Sequence, residues 1–271
     1  MSIEHGAPTQ EVREKKRFGA NVTMVVDLMR HPEKDYATGN LTEAGKAALV
    51  KKLDEEYSDQ DFDTVKGYVS PHKRAQQAME PLSQFLEEND IDTSTRTKKV
   101  LFGSLGAKYT TKTDKALDKI LEERGQVSET GVEKKDAVEP VSKDSEKAKN
   151  ELLIQEFFDK EFPMTDLKGE DVGKELDELM QHFAQMAKRF YSESKVKIIA
   201  ISHGGIIEYL TKLIYLKNHP EVKSSDVSAE QIGGLLTYME GPRITIKSDE
   251  SGKQTGTLEF KELNLDFPIE G

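Results

Sequence analysis

Val196-Lys197-Ile198-Ile199-Ala200-Ile201-Ser202-His203-Gly204-Gly205 sets five apolar residues and one lysine directly before a Ser-His-Gly-Gly turn, and apolar residues resume at Ile206 with helical spacing as far as 216. A short run of this kind, rich in β-branched residues, reads as a strand buried on both faces. Strand, glycine turn and helix in that order make a βα unit whose turn favours phosphate. The same order recurs upstream. Val22-Thr23-Met24-Val25-Val26-Asp27-Leu28-Met29 is another such strand and ends at Arg30-His31-Pro32; Thr42 then stands as an N-cap before residues 43–53, whose apolar positions fall at helical spacing. Thr64-Val65-Lys66-Gly67-Tyr68-Val69 is a third strand and ends at Ser70-Pro71. Ala75, Ala78, Met79, Leu82, Phe85 and Leu86 mark the apolar face of the helix that follows, which Pro81 should kink or truly begin. A further strand is expected at 98–102 and an amphipathic helix over 172–191, where Leu176, Leu179, Met180, Phe183, Met186, Ala187 and Phe190 share a face. Residues 234–239, 243–247 and 257–260, separated by Gly, Pro, Asp and Ser, read as antiparallel strands closing one sheet edge. Strands alternating with helices predict an α/β fold, a three-layer α/β/α sandwich with a mainly parallel sheet.

The bulk properties fit one such domain. A chain of 271 residues is long enough for a sizeable core, yet at 35% hydrophobic and 33% charged it is polar for a globular protein. The excess is local: between Leu121 and Leu152 there is no Leu, Ile, Phe or Tyr. Residues 107–168 therefore read as a charged, partly disordered insertion into a single domain of 19–271, with 1–18 as a flexible polar lead-in. A net charge of −11 with no basic run disfavours nucleic acid, although a few cations converging in a cleft can still bind a phosphate-bearing molecule. The absence of cysteine excludes disulfides, thiolate catalysis and cysteine-ligated metals. No apolar run approaches a membrane span and the first residues lack a signal-peptide core, so a cytoplasmic protein without a membrane partner is expected. Nothing in the sequence indicates an oligomeric state.

The chemistry gathers at three strand ends. In an open α/β sheet the ligand site lies beyond the carboxyl ends of the strands, and here those ends carry Arg30-His31, Ser70 leading to Arg74, and Ser202-His203. Two imidazoles and two guanidinium groups in one crevice suit a transferring phosphoryl group, because guanidinium forks match its oxygens and a neutral imidazole can attack phosphorus. Gly204 and Gly205 would add backbone N–H groups at a helix N-terminus. Taken singly, each feature has a plainer reading: a polar loop start, a solvated helix residue, a capped βα turn. His5, His72, His182 and His219 carry only such plain readings.

Three stretches taken together resemble the histidine phosphatase superfamily, the phosphoglycerate-mutase-like fold. Leu28-Met29-Arg30-His31-Pro32-Glu33-Lys34 with Leu41-Thr42-Glu43-Ala44-Gly45, Ser70-Pro71-His72-Lys73-Arg74-Ala75, and Ile201-Ser202-His203-Gly204-Gly205 match its motifs in order and context. The resemblance implies a phosphomonoester hydrolase in which His31 is transiently phosphorylated while Arg30, Arg74, His203 and Gly204 hold the phosphoryl oxygens. It implies a phosphorylated small molecule or phosphoprotein as substrate and neither metal nor cofactor. The chain departs from the family pattern at Pro32, where Gly is usual, at Lys34, where the mutase branch has Ser or Thr, and at Ala78, where Thr is frequent. It has no tryptophan, so the mutase branch's Trp-containing stretch with its acidic residue is missing, and Gly204 stands where the acid-phosphatase branch has Asp. Glu33, Glu151 and Glu156 are the remaining candidates for the general acid. The competing readings are a phosphoglycerate-mutase-type phosphotransferase and an inactive phosphate-binding module.

Overall fold

The computed structural model describes residues 18–35, 38–57, 62–70, 73–88, 93–97 and 169–269. Chain order is β1 Thr23–Arg30, α1 Glu43–Tyr57, β2 Thr64–Val69, α2 Lys73–Gln77, α3 Met79–Glu88, β3 Thr93–Thr97, α4 Gly169–Ala187, β4 Lys195–Ser202, α5 Ile206–Asn218, two short 3₁₀ turns, then β5 Arg243–Ser248, β6 Gln254–Phe260 and β7 Leu263–Phe267. The seven strands form one sheet in the order β3-β2-β4-β1-β5-β6-β7. Pairing is parallel from β3 to β1 and antiparallel from β1 to β7. The parallel half is where the three chemistry-bearing strand ends lie.

Side-chain alternation along the central strands divides the core. Met24, Val26 and Leu28 of β1 and Val196, Ile198 and Ala200 of β4 pack with Leu179, Met180 and Phe183 of α4 and Ile207, Leu210 and Ile214 of α5. Met29, Ile199 and Ile201 join a different cluster, with Leu49 and Leu53 of α1 and Leu82, Phe85 and Leu86 of α3. Helices thus contribute to two separate cores fed by alternate residues of the same strands. Among the described residues no helix is long and apolar enough to cross a membrane.

Local chemistry accounts for the helix boundaries. The Thr42 hydroxyl accepts from the Gly45 N–H at 2.9 Å, capping α1 as its sequence predicted. Proline at 81 has no N–H to give the Gln77 carbonyl, and the helix breaks at Ala78 into α2 and α3. One expectation is corrected and one strand is added. Residues 234–239 form no strand: Gly233, Gly234 and Met239 all adopt positive φ, 94°, 83° and 60°, which folds the segment into an irregular crossing of the sheet edge. The antiparallel edge is instead completed by β7, whose Leu265 and Phe267 are buried. The strand next to β2 is Thr93–Thr97, whereas 98–102, the 107–168 insertion and residues 1–17 lie outside the described residues.

Candidate active site

Strand register brings the three ends together. Arg30 pairs with Ser202 and Val69 with Ile201, so the residues that follow emerge side by side at one edge of the sheet. The His31 N–H donates to the Ser202 carbonyl at 2.8 Å and the Ser70 N–H to the Ile201 carbonyl at 3.0 Å, extending the ladder one step past the strands. His31, Ser70 and His203 are buried there, and the two imidazole centroids are 5.0 Å apart, edge to face.

Arg74, carried in by α2, links the pair. Its Nε–H lies 2.9 Å from His31 Nε2 and 3.3 Å from His203 Nδ1. The other ring nitrogen of His31, Nδ1, sits 2.7 Å from the Pro32 carbonyl, an oxygen that can only accept; Nδ1 therefore bears the hydrogen and Nε2 the lone pair. Burial pushes the His31 pKa well below its ordinary value, and the positive charges of Arg74, Arg30 and Lys34 push it further, against the opposing pull of the Pro32 carbonyl. His31 is a neutral imidazole at pH 7 with Nε2 bare. On the other side of the crevice, His203 Nε2 is 3.0 Å from the Ser70 hydroxyl; with Nδ1 accepting from Arg74, Nε2 carries the hydrogen and donates to the serine.

Arg30 is held from the segment read as a strand. One Nη1–H donates to the Leu236 carbonyl at 2.6 Å, and the guanidinium lies 4.8 Å from the Tyr238 ring centroid. Tyr238 also leans on His31, with centroids 5.8 Å apart. Backbone bonds from the Met239 N–H to the Arg30 carbonyl, 3.0 Å, and from the Arg30 N–H to the Glu240 carbonyl, 2.8 Å, fix this segment along the end of β1. The buried Nε of Arg30 has no hydrogen-bond partner among the described residues.

The glycine turn differs from its sequence reading. The Gly205 N–H does not face the crevice as a free donor but is taken by Glu208 Oε2 at 2.5 Å. The other oxygen of Glu208 accepts from the Leu236 N–H at 3.0 Å, and the residue is fully buried. Burial raises its pKa, while backbone donors, that of Leu236 foremost, and the charge of Arg30 pull the other way. Gly204 sits between the two, since a β-carbon there would lie 3.3 Å from Arg30 Nε and 3.4 Å from Glu208 Oε1.

Of the residues singled out from sequence, Arg30, His31, Arg74, His203 and Gly204 thus share one crevice. Glu33 lies at its α1 side, with the Thr42 hydroxyl 3.5 Å from its Oε2, while Glu151, Glu156 and His72 fall outside the described residues. Tyr238 and Glu208 escaped the sequence reading. Tyr238 lay in the misread segment, but Glu208 left a signal: it is the one charged residue in the apolar run Ile206-Ile207-Glu208-Tyr209-Leu210. Among the described residues no three His, Asp or Glu side chains cluster in a way that could hold a metal ion.

No protein-family model matches the chain, and no curated protein matches it in sequence. Among solved structures, the chain is similar to a mycobacterial glucosyl-3-phosphoglycerate phosphatase, with 12% identity over 89% of this chain and 98% of that one and a TM-score of 0.46. It is also similar to a phosphoglycerate mutase from Plasmodium falciparum, with 12% identity over 90% and 97% of the two chains and a TM-score of 0.34. Both proteins are members of the histidine phosphatase superfamily, which the three sequence motifs resemble. At these values neither likeness assigns a reaction or a substrate to the chain.

Proposed function

We propose that the chain is a phosphomonoester hydrolase of the histidine phosphatase type, working through a phosphohistidine on His31. The observation that carries this reading is the Arg74 Nε–H placed between two imidazole lone pairs, His31 Nε2 at 2.9 Å and His203 Nδ1 at 3.3 Å. A cation shared by two neutral acceptors is a site for an anion, because phosphoryl oxygens are stronger acceptors than either ring nitrogen.

The proposed step begins with the Nε2 lone pair of His31 attacking phosphorus while the bond to the leaving oxygen breaks. The imidazolium charge that develops is met at Nδ1–H by the Pro32 carbonyl, and Arg30, Arg74 and His203 take up the charge on the phosphoryl oxygens, aided by the backbone at Gly204. The leaving oxygen takes a proton from water, and the second half-reaction returns one to solvent. Water then attacks the phosphohistidine, releasing inorganic phosphate and restoring neutral His31. Of the buried carboxylates, Glu208 is not free to act as the acid, since both its oxygens are bound to backbone N–H groups. Substrates in this reading are phosphorylated metabolites or phosphorylated protein side chains.

The test is hydrolysis of p-nitrophenyl phosphate alongside alkaline-quench trapping of a phosphoenzyme labelled in its phosphoryl group. Wild type should turn over and carry an acid-labile label, and His31→Ala should show neither. Turnover that survives His31→Ala would remove the histidine mechanism.

A further inference from the structure

Glu208 is buried, lies behind Arg30 and Gly204, and takes no part in the proposed chemistry, yet its two oxygens join two separate pieces of the site. Oε2 accepts from Gly205, in the turn that carries His203, and Oε1 accepts from Leu236, in the segment that carries Tyr238. These segments are 28 residues apart along the chain at the Glu208–Leu236 bond and have no strand pairing to hold them together. We infer that Glu208 is a positioning residue that clamps the Leu236–Tyr238 segment to the His203 turn and thereby sets the orientation of the Arg30 guanidinium for phosphate.

The inference rests on how Arg30 is held. Its guanidinium meets the Leu236 carbonyl at 2.6 Å and the Tyr238 ring at 4.8 Å, and both belong to the segment that Glu208 fixes through the Leu236 N–H. The same residue, Leu236, therefore gives its N–H to Glu208 and its carbonyl to Arg30, so displacement of one bond displaces the other. Gly233, Gly234 and Met239 at positive φ make the segment irregular; backbone bonds to Arg30 hold its far end, at Met239 and Glu240, while at Leu236 it is Glu208 that takes the backbone N–H. Only a carboxylate suits the position. A glutamine of the same shape offers one acceptor oxygen, and its NH₂ would confront a second backbone donor in a site without water access. Placing a charged side chain in the otherwise apolar start of α5 is costly unless it is bonded on both oxygens, which is what the structure shows. Arg30, on β1, is the charged group that acts on it, and the pair is separated by Gly204, where a β-carbon would sit 3.3 Å from Arg30 Cδ and Nε and 3.4 Å from Glu208 Oε1.

This inference rests on the phosphatase reading for its consequence, and the test separates the two. The variants are Glu208→Gln and Gly204→Ala, the second a wedge between Arg30 and Glu208 that leaves the carboxylate in place. Two readouts are taken on the full chain: amide hydrogen exchange of residues 234–240, and affinity for inorganic phosphate or orthovanadate by calorimetry. Glu208→Gln should speed exchange at 234–240 by at least tenfold with the sheet unchanged, and should weaken anion affinity about tenfold, the scale of one charge-assisted hydrogen bond. Gly204→Ala should weaken anion affinity comparably while leaving exchange of the segment near wild type. Because the effect acts through Arg30, Glu208→Gln should cost nothing further in an Arg30→Ala background. Unchanged exchange in Glu208→Gln, or a full additional loss in the Arg30→Ala background, would overturn the clamp. Wild type that binds neither anion would instead sink the phosphatase reading, and the exchange measurement would still decide the role of Glu208.

Discussion

At the scale of single residues, the proposed reaction depends on keeping one imidazole neutral and aimed. His31 is buried among cations, so its pKa lies well below the ordinary histidine value of about 6.5. Protonation at Nε2 abolishes the nucleophile, so the acid limb of kcat/KM should lie below about pH 6.5, with activity level across neutrality. Arg74 is the nearest of the charges responsible and also a phosphate ligand in the proposed step. Its replacement in Arg74→Ala should lower kcat/KM about 10²–10³-fold, the cost of removing one preorganised donor to a developing oxyanion. It should also move the acid limb upward, because one of the positive charges that disfavours imidazolium is gone. The ratio of variant to wild type on one substrate cancels the ionisation of the substrate, and a ratio that is flat with pH would disprove the electrostatic link. Arg74→Lys should recover little, since a lysine ammonium cannot supply the planar fork that places Nε between two rings.

At the scale of elements, the site is assembled by three strand ends and one irregular crossing, and these were not equally legible. Strands β1 and β4 announce themselves because burial on both faces demands largely apolar runs, β2 by its Val and Tyr residues, and the polar residues that end all three fall at the carboxyl edge for a topological reason. Arg30, His31, Arg74 and His203 could therefore be read from order alone. Residues 234–239 could not. Leu235, Leu236 and Met239 imitate a strand, but the chain needs positive φ at Gly233, Gly234 and Met239 to pass across the end of β1, and no pattern of hydrophobicity encodes that path. Glu208 was illegible in its partner rather than its presence, for both its bonds go to backbone groups that leave no residue-type signature. A similar close approach governs α1. A β-carbon on Gly45 would lie 2.5 Å from the carbonyl of Glu33, two residues after His31, so α1 packs directly on the loop that follows β1. Gly45→Ala should push loop and helix apart, destabilising the fold by about 1–3 kcal/mol in denaturant titration as overpacking does. It should also depress kcat, as His31 is moved off line, and a variant with wild-type stability and rate would show that the contact is not required.

At the scale of the whole molecule, the parallel and antiparallel halves of the sheet meet at β1, and a buried ionic cluster lies across that seam. Asp27 of β1 accepts from Tyr57 of α1 at 2.6 Å and from Arg243 of β5 at 2.8 and 3.3 Å, and it pairs with the buried Lys197 of β4. Burial alone would raise the Asp27 pKa, but Arg243, Lys197 and Tyr57 together hold it below the ordinary carboxylate value. A depressed folded pKa means that the unfolded chain binds the proton first as pH falls, so the stability Asp27 contributes is fully present above about pH 4 and is lost progressively below it. Removing the charge by mutation is harsher than titrating it, since Asp27→Asn strands Lys197 in the interior. It should destabilise by about 3–5 kcal/mol, lowering Tm by on the order of 10 °C. Replacing both partners, Asp27→Leu with Lys197→Met, should recover most of that loss, because an apolar pair of similar volume escapes the desolvation cost that makes a half-broken ion pair expensive. Thermal melts of the single and double variants between pH 3 and 7 check both parts: the Tm deficit of Asp27→Asn against wild type should narrow as pH falls below 4, where wild type loses the same charge. A deficit that stays constant with pH would mean that the carboxylate's charge does not hold the seam, and a double variant no better than the single would assign the loss to packing around Tyr57 and Arg243 instead.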